Sequence, residues 1–353
     1  MNLRDFYFGK KILVTGHTGF KGAWLSLVLH EMGADVSGIS LPPTDSRGNL
    51  YKIIKLKKKI DSHYLDVRNY HKLKKLIRKI NPELIFHLAA QPYVLKSYQD
   101  PIETITTNVI GTANILEISR ELHSLEAVIN VTTDKCYENE EKGKPFRESD
   151  KLGGKDVYSA SKASSELITK SYYHSFLKNL TKSVGTARAG NVIGGGDFGE
   201  NRLVPDIFDS IFNKKKLIIR NPNSIRPWQY ILDVINGYLI FMIYLNKSKK
   251  GIFSSYNFAP TKKEIIEVRQ IVDFICEFFQ YEKTKFLKKS DTHDESKNLL
   301  LSSKKAQEEL NWFSKYKTME AIEETIKWHE VHHDESDKIE EYSSNLIKNY
   351  FNI

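Results

Sequence analysis

Ile12-Leu13-Val14-Thr15-Gly16-His17-Thr18-Gly19-Phe20-Lys21-Gly22 is the stretch whose reading decides the fold. A short aliphatic run bounded by glycine reads as a buried strand. Glycines at every third position then permit a tight turn and a close approach of backbone N–H groups to a pyrophosphate. The residues after them, Ala23 to Met32, carry a helical pattern. A helix that starts where the turn ends offers the positive end of its dipole to the same anion. Strand, glycine turn and helix in this order predict a dinucleotide site with Gly16, Thr18, Gly19, Phe20 and Gly22 around the phosphates.

Outward from that stretch the pattern repeats. Asp35–Ile39, Leu84–Ala90, Ala127–Val131 and Val184–Ala187 read as strands, and Val109–Leu122 and Ser159–Phe176 as helices. Strand–helix alternation at this spacing predicts an α/β fold, a Rossmann-type doubly wound parallel sheet with a smaller C-terminal substrate-binding lobe. Past residue 190 the rhythm changes. Gly194-Gly195-Gly196-Asp197 reads as a loop, and Lys263–Phe279, Ser303–Leu310 and Met319–Val331 as helices. The expected division is 1–190 for the dinucleotide half, with 229–262 returning to it, and 191–228 plus 263–353 for the lobe. No internal repeat and no low-complexity linker separates them.

A second cluster supplies chemistry. Thr133-Asp134-Lys135 follows the strand Ala127–Val131, and Tyr158-Ser159-Ala160-Ser161-Lys162 opens a helix. Tyr158 and Lys162, four apart, share one helix face. An ammonium and a cationic nicotinamide beside a phenol lower its pKa toward that of a usable base. Lys162 is also placed to hold the cofactor ribose, and Thr133 to hydrogen-bond the reacting hydroxyl. Asp134-Lys135 adds an acid and an amine that plain hydride transfer does not need. They suit an elimination: oxidising a sugar C4 hydroxyl acidifies the neighbouring C–H, so a base removes that proton while an acid protonates a departing hydroxyl. The alternatives at these positions are a surface Tyr/Lys pair and a structural ion pair.

The 353 residues carry a net charge of +9, 40% hydrophobic and 27% charged side chains, the profile of a globular protein long enough for a large core. Lysine clusters at 55–59 and 72–79 read as solvated faces rather than a nucleic-acid surface. The positive field favours an anionic, phosphate-bearing substrate. Cys136 and Cys276 match no disulfide or metal spacing, which predicts a reducing cytoplasm. Met1–Phe6 lacks the apolar core of a secretory signal, and Val234–Leu245 is too short for a membrane span. His329-Glu330-Val331-His332-His333 formally matches a zinc motif, but its place in a charged and apparently solvent-facing helix end, with no third ligand in view, argues against a metal.

The strand Asp35–Ile39 runs into Ser40-Leu41, without an acid for a ribose 2′-OH or an adjacent arginine for a 2′-phosphate; Arg47 is a distant candidate. NAD is the expected cofactor. Asp66 reads equally as an adenine ligand or a helix N-cap.

With these residues in place, the chain resembles the extended short-chain dehydrogenases, and within them the nucleotide-sugar 4,6-dehydratases, along nearly its whole length. The carrying stretches are Val14–Leu25, His87-Leu88-Ala89-Ala90-Gln91-Pro92, Thr107-Asn108-Val109-Ile110-Gly111-Thr112, Thr133-Asp134-Lys135-Cys136-Tyr137, Arg188–Asp197 and Ile225-Arg226-Pro227-Trp228-Gln229. Asp-Lys-Cys-Tyr and Arg-Pro-Trp-Gln are specific to the branch acting on CDP-linked sugars; relatives on dTDP-glucose or GDP-mannose usually carry Asp-Glu where Asp134-Lys135 stands. The resemblance implies 4,6-dehydration of CDP-glucose with NAD. Tyr158 takes the C4 hydroxyl proton, water leaves across C5 and C6 with Asp134 as acid, and the product is a 4-keto-6-deoxy sugar with no net use of cofactor. Where relatives use glutamate as the C5 base, this chain has Lys135.

The same resemblance assigns Leu88, Ala89, Ala90 and Asn108 to the cofactor and Gln91, Asn191, Arg202, Arg220 and Arg226 to the substrate. Bidentate arginines suit a diphosphate. It also implies a homodimer or homotetramer. Two departures bear on the sugar. Relatives often read Gln-Pro-Leu-Val-Arg where this chain has Gln91-Pro92-Tyr93-Val94-Leu95, with Lys96 one place later, and Gly154-Lys155-Asp156-Val157 replaces Gly-Tyr-Asp-Pro. A 4-epimerase or reductase on a nucleotide sugar shares the glycine turn and the Tyr/Lys pair but has no use for Asp134-Lys135. A dinucleotide-sensing protein without turnover typically lacks one of Tyr158 and Lys162.

Overall fold

The computed structural model describes residues 2–44, 47–139, 143–248, 250–261, 266–287 and 299–353. Seven parallel strands form the central sheet: β1 (Lys11–Thr15), β2 (Asp35–Ser40), β3 (Asp61–Tyr64), β4 (Leu84–His87), β5 (Ala127–Val131), β6 (Ser183–Ala189) and β7 (Phe253–Phe258). Their order is β7-β6-β5-β4-β1-β2-β3, so the winding reverses between β1 and β4. Ligands of such sheets bind at the carboxyl ends of the strands at that reversal.

Period-two alternation sorts the strand residues between two cores. Ile12, Val14, Leu84, Phe86, Ala127 and Ile129 face one side. There they meet Trp24, Leu25 and Val28 of helix α1 (Phe20–Glu31). Leu13, Ile39, Ile85 and Val128 face the other, against Ile115 and Ile118 of α2 (Gly111–Glu121) and against Leu73 and Ile77 of the helix Tyr70–Ile80. That last helix contains the 72–79 lysine cluster. The lysines ride its outer face, and Lys74 and Arg78 pair with Glu121.

The expected strand Leu84–Ala90 stops at His87, because Leu88 and Ala89 turn their N–H groups onto Thr15 Oγ1 at 3.1 and 3.2 Å. The expected helix over 109–122 begins with a π-helical turn, Thr106–Ile110, before α2. The long helix after Tyr158 is α3 (Val157–Tyr172), followed by a π-helical turn at Tyr173–Leu177. Its N-cap is Asp156, whose carboxylate accepts from Ser159 N at 2.9 Å.

A buried polar seam crosses the middle of the sheet. Thr15 Oγ1 meets His87 Nδ1 at 2.7 Å and His87 Nε2 meets Thr112 Oγ1 at 3.2 Å. Thr112 reaches Ser165 Oγ at 3.0 Å, and Asn130 Nδ2 donates to Ser165 at 2.9 Å. Every member has partners, which is what makes such a seam tolerable in a core. Burial holds His87 down to about 3, and it likewise takes His17 to about 4 and His329 to about 3. In the unfolded chain each imidazole binds a proton below about pH 6.5, whereas in the fold each stays neutral to far lower pH. Their contribution is therefore complete above about pH 6.5 and is lost as pH falls toward the folded values. The urea midpoint is expected to fall steadily from about pH 7 to about pH 4.5, and a midpoint flat across that range would contradict the burial of these rings.

The second half contributes α4 (Leu203–Phe212), α5 (Ile231–Asn246), α6 (Val268–Phe278), α7 (Thr318–Asp334) and α8 (Ile339–Phe351). Residues 263–265 of the expected helix Lys263–Phe279 lie outside the described residues; α6 starts at Val268. The expected helix Ser303–Leu310 is observed as Lys304–Leu310, and a small parallel pair, Leu217–Ile219 with Thr284–Phe286, sits in the lobe. Helix α5 lies against β5, β6 and α1, and β7 adds to the sheet edge beside β6. Helix α8 packs back onto α1, and Glu340 pairs with Lys55 and Lys59 of the 55–59 cluster. Trp24 Nε1 donates to Gly195 O at 2.8 Å, joining α1 to the glycine loop of the second half.

Candidate active site

The turn after β1 has no room for side chains. Gly16 holds φ +79°, and a Cβ there would lie 2.8 Å from Ala89 N; a Cβ on Gly22 would lie 2.1 Å from Gly16 O. Gly19 is the N-cap of α1 and makes no side-chain cap bond, so the first turn of α1 keeps its N–H groups for a ligand. A cradle that a Cβ would fill, opening on an uncapped helix, fits the pyrophosphate of a dinucleotide. Phe20 opens α1. Thr18 is occupied in shaping the turn, its hydroxyl bonded to Ser40 Oγ at 2.7 Å and Leu41 O at 3.0 Å. His17 lies under the turn, Nε2 on Ser62 Oγ at 2.7 Å.

Asp66 is not a helix N-cap; Asn69 caps the following helix. The Asp66 carboxylate forms a two-oxygen ion pair with Arg68 and accepts Arg68 N at 2.8 Å, which holds its pKa below the usual value. Arg47 pairs with Asp206 of α4 at 2.5 Å and approaches Asp209 at 3.9 Å, so its charge is spent on the lobe. Leu88, Ala89 and Ala90 line the turn after β4, half-buried opposite Gly16. Asn108 sits in the π-helical turn and pins that stretch: Oδ1 accepts Gln91 N at 2.8 Å, while Nδ2 donates to Gln91 O at 3.1 Å and Ser161 Oγ at 2.9 Å. The Gln91 amide is directed inward, to Tyr93 O at 3.0 Å and Thr104 Oγ1 at 2.8 Å.

The end of β5 meets the start of α3. Thr133 Oγ1 donates to Asp134 Oδ1 at 2.9 Å, and the hydroxyl is near enough to Tyr158 to act on its ionisation. Burial pushes Tyr158 up to about 12, opposed by the Thr133 hydroxyl and the nearby Arg202 charge. Burial also raises Asp134, opposed by Lys135, Thr133, Lys21 and Arg226 in that order. A carboxyl held above its usual range keeps its proton to higher pH than a free one, the direction an acid needs. Lys162 is lowered to about 8 by burial, and its ammonium donates to Val131 O at 3.0 Å. The Tyr158/Lys162 spacing leads one to expect the lysine as the cation acting on Tyr158. In the fold the last carbonyl of β5 claims it, and Arg202 stands nearer in effect. Lys135 is half-buried in the short turn Asp134–Cys136, its N–H on Thr133 Oγ1 at 3.4 Å.

Sequence reasoning passed over Lys21. It is the second residue of α1, and its ammonium is brought to about 8, first by burial and then by Arg202 and Lys162, with Asp134 and Asp197 acting the other way. It belongs with Asp134, Lys162 and Arg202, three elements apart in sequence. A lysine where an apolar residue would serve helix packing was the available signal.

Arg202, the N-cap of α4, pairs with Asp197 at 3.0 Å and lies over the Tyr93 ring at 5.2 Å. Arg226 is half-buried, within electrostatic reach of Asp134, and donates to Ile225 O at 2.9 Å. Asn191 is half-buried, its carbonyl accepting Gln229 N at 3.0 Å. Arg220 is exposed just past the strand Leu217–Ile219, farther out than Arg202 and Arg226. The five thus divide: Arg202 and Arg226 adjoin the reacting groups, Asn191 borders them, Gln91 braces a loop, and Arg220 stands at the rim.

The His329–His333 stretch is exposed only at its end: His333 is exposed as expected, whereas His329 is not. His329 is buried and stacks on Phe208 at 3.9 Å, and His333 stacks on Phe212 at 4.5 Å, so the α7 histidines pack onto α4. The sequence shows the charges of this helix and hides its partner. Among the described residues, no group of three His, Cys, Asp or Glu is placed to hold a metal ion, and no helix is long and apolar enough to cross a membrane.

Comparison with known proteins agrees with this geometry. Residues 13–325 match the GDP-mannose 4,6 dehydratase family. The chain is 40% identical over 334 residues to a CDP-glucose 4,6-dehydratase of Salmonella typhimurium, covering 93% of this chain and 92% of that one. It is 25% identical to a human dTDP-D-glucose 4,6-dehydratase, covering 91% and 90% of the two chains. A dTDP-glucose 4,6-dehydratase structure from Bacillus anthracis in complex with NAD aligns with TM-score 0.75 at 22% identity, covering 93% and 99% of the chains. A UDP-glucose 4-epimerase from Thermotoga maritima aligns with TM-score 0.78 at 21% identity, covering 92% and 99%. These two structures share the fold. The chain belongs to the GDP-mannose 4,6 dehydratase family. It is an enzyme, a nucleotide-sugar 4,6-dehydratase of the hydro-lyase class.

Proposed function

We propose that the enzyme converts CDP-glucose to CDP-4-keto-6-deoxyglucose with NAD as resident cofactor. The observation that carries this reading is the buried group Tyr158, Thr133 and Asp134 where the end of β5 meets α3, with the Thr133 hydroxyl bonded to the Asp134 carboxylate and acting on the Tyr158 phenol. Gly16, Thr18, Gly19, Phe20, Gly22, Asp66, Leu88, Ala89, Ala90, Asn108, Tyr158 and Lys162 hold the cofactor. Bound there, NAD would supply reversible hydride acceptance, which this redox-neutral dehydration needs. Tyr158 removes the C4 hydroxyl proton with Thr133 beside it, Lys162 fixes the ribose, and Lys135 exchanges the C5 proton. Asp134 delivers a proton to the departing C6 hydroxyl. Asn191, Arg202 and Arg226 receive the sugar and diphosphate, with Arg220 and Gln91 at the periphery. The 40% identity to a CDP-glucose enzyme supports the choice of base and hexose.

Exposed apolar side chains on neighbouring elements, Ile102, Ile105 and Ile110 with Leu167 and Phe176, support a homo-oligomer formed through this face. The cytoplasm suits two unpaired thiols, Cys136 and Cys276.

The test is mass spectrometry after incubation with NAD in deuterated water, separately with CDP-, dTDP- and UDP-glucose and GDP-mannose. Loss of one water with gain of one deuterium from the CDP sugar alone is expected. Turnover of another sugar in its place, or of none, would overturn the assignment.

A further inference from the structure

A proton count over this reaction leaves the site out of balance. The C4 hydride returns at C6 and the C5 proton leaves and comes back, so neither changes the total. The C4 hydroxyl, however, becomes a ketone and leaves its proton on Tyr158, while the C6 hydroxyl departs as water with a proton from Asp134. After each turnover Tyr158 holds one proton too many and Asp134 one too few. The two groups sit on different elements, α3 and the turn after β5, and the side chain between them is Thr133.

We infer that the Thr133 hydroxyl is a relay that returns the proton from Tyr158 to Asp134, so that the proton taken from the C4 oxygen leaves in the water made at C6. Thr133 Oγ1 donates to Asp134 Oδ1 at 2.9 Å, and the same hydroxyl is near enough to Tyr158 to lower the phenol's pKa. In the reset, the Tyr158 O–H bond breaks toward Thr133 Oγ1 as the Thr133 O–H bond breaks toward Asp134 Oδ1. Thr133 ends as it began, Tyr158 ends as phenolate and Asp134 as carboxylic acid. No oxidant and no solvent molecule enters this step. Tyr158, Thr133 and Asp134 are all buried, so bulk water is a poor substitute. The groups facing the line are Lys21, Lys135 and Arg226 toward Asp134, and Arg202 and Asp156 toward Tyr158. Burial raises Asp134, which helps the transfer, and burial of Tyr158 helps it not at all. A positive charge brought beside the phenol by bound cofactor acts in the needed direction.

The proposal rests on the dehydratase reading, and the experiment separates the two. Wild-type enzyme, Thr133→Val and Thr133→Ser are compared on CDP-glucose with NAD over about pH 6 to pH 9, following both the 4-keto sugar that retains its C6 oxygen and the dehydrated product. In the wild type the pair keeps its proton internally, and the rate of water loss is expected to be flat. In Thr133→Val the acid is reloaded from solvent, so water loss falls by up to roughly tenfold per pH unit and the oxidised, undehydrated sugar accumulates. Thr133→Ser, which keeps the hydroxyl, restores the flat profile. A Thr133→Val enzyme that is slow but equally flat would make Thr133 a positioning residue and overturn the relay, as would an unchanged one. Failure of the wild type to dehydrate any nucleotide hexose would overturn the dehydratase reading instead.

Discussion

Replacing Tyr158 by phenylalanine is expected to lower turnover by roughly a thousandfold or more while leaving the fold and dinucleotide binding near wild type. The ring is buried at the start of α3, and phenylalanine fills the same space, so packing changes little. What disappears is the oxygen proposed to receive the C4 hydroxyl proton, the one on which the Thr133 hydroxyl acts. Positioned acid–base groups contribute about 10² to 10⁴ in rate, and C4 oxidation precedes every later step. The appearance of reduced-nicotinamide absorbance in a single turnover is the direct readout. A variant that still oxidises C4 at roughly a tenth of the wild-type rate would place the base elsewhere.

Gly22→Ala is expected to damage stability and dinucleotide binding together. The added carbon would sit 2.1 Å from Gly16 O and 2.7 Å from Gly16 C, backbone atoms that cannot step aside. Either α1 lifts from the sheet or the turn opens. Overpacking costs about 1–3 kcal/mol where side chains yield, and a backbone neighbour puts this site at or above the top of that range. Lifting α1 also moves its N-terminus off the pyrophosphate position, so nucleotide affinity falls together with stability. Gly19→Ala is the control: its methyl meets Gly16 O at 3.4 Å, and the urea midpoint should stay close to wild type. Equal midpoints for the two variants, measured beside NAD titration calorimetry, would refute the close-approach account.

The two ends of β1 and β5 were readable because local chemistry fixes them. An aliphatic run, a glycine turn and a helix leave few other arrangements, and Thr133-Asp134-Lys135 directly follows the apolar strand Ala127–Val131. What the chain does not announce is which side chains meet across elements. Lys21 reads as one more lysine until the turn after β5 brings Asp134, and α3 brings Lys162, within reach of its charge. Lys162 reads as the partner of Tyr158 until the Val131 carbonyl claims its ammonium. The π-helical turn at Thr106–Ile110 has the residue pattern of an ordinary helix; its extra residue is needed so that Asn108 reaches both Gln91 and Ser161. His329 of α7 looks solvent-facing because periodicity describes one helix at a time, and its burial is the work of Phe208 on α4, while His333 stays exposed with one face on Phe212.

Arg47 joins two things that bind separately. It leaves the sheet half just after β2, where the adenosine end of a dinucleotide belongs, and it holds Asp206 and Asp209 on α4. The first turn of α4 is capped by Arg202, whose charge reaches Tyr158. Positions of the β2 loop and of α4 are thereby tied, so a ligand that settles one changes the free energy of settling the other. Such a tie acts equally in both directions: a nucleotide sugar that settles α4 tightens the dinucleotide by the same factor by which the dinucleotide tightens the sugar.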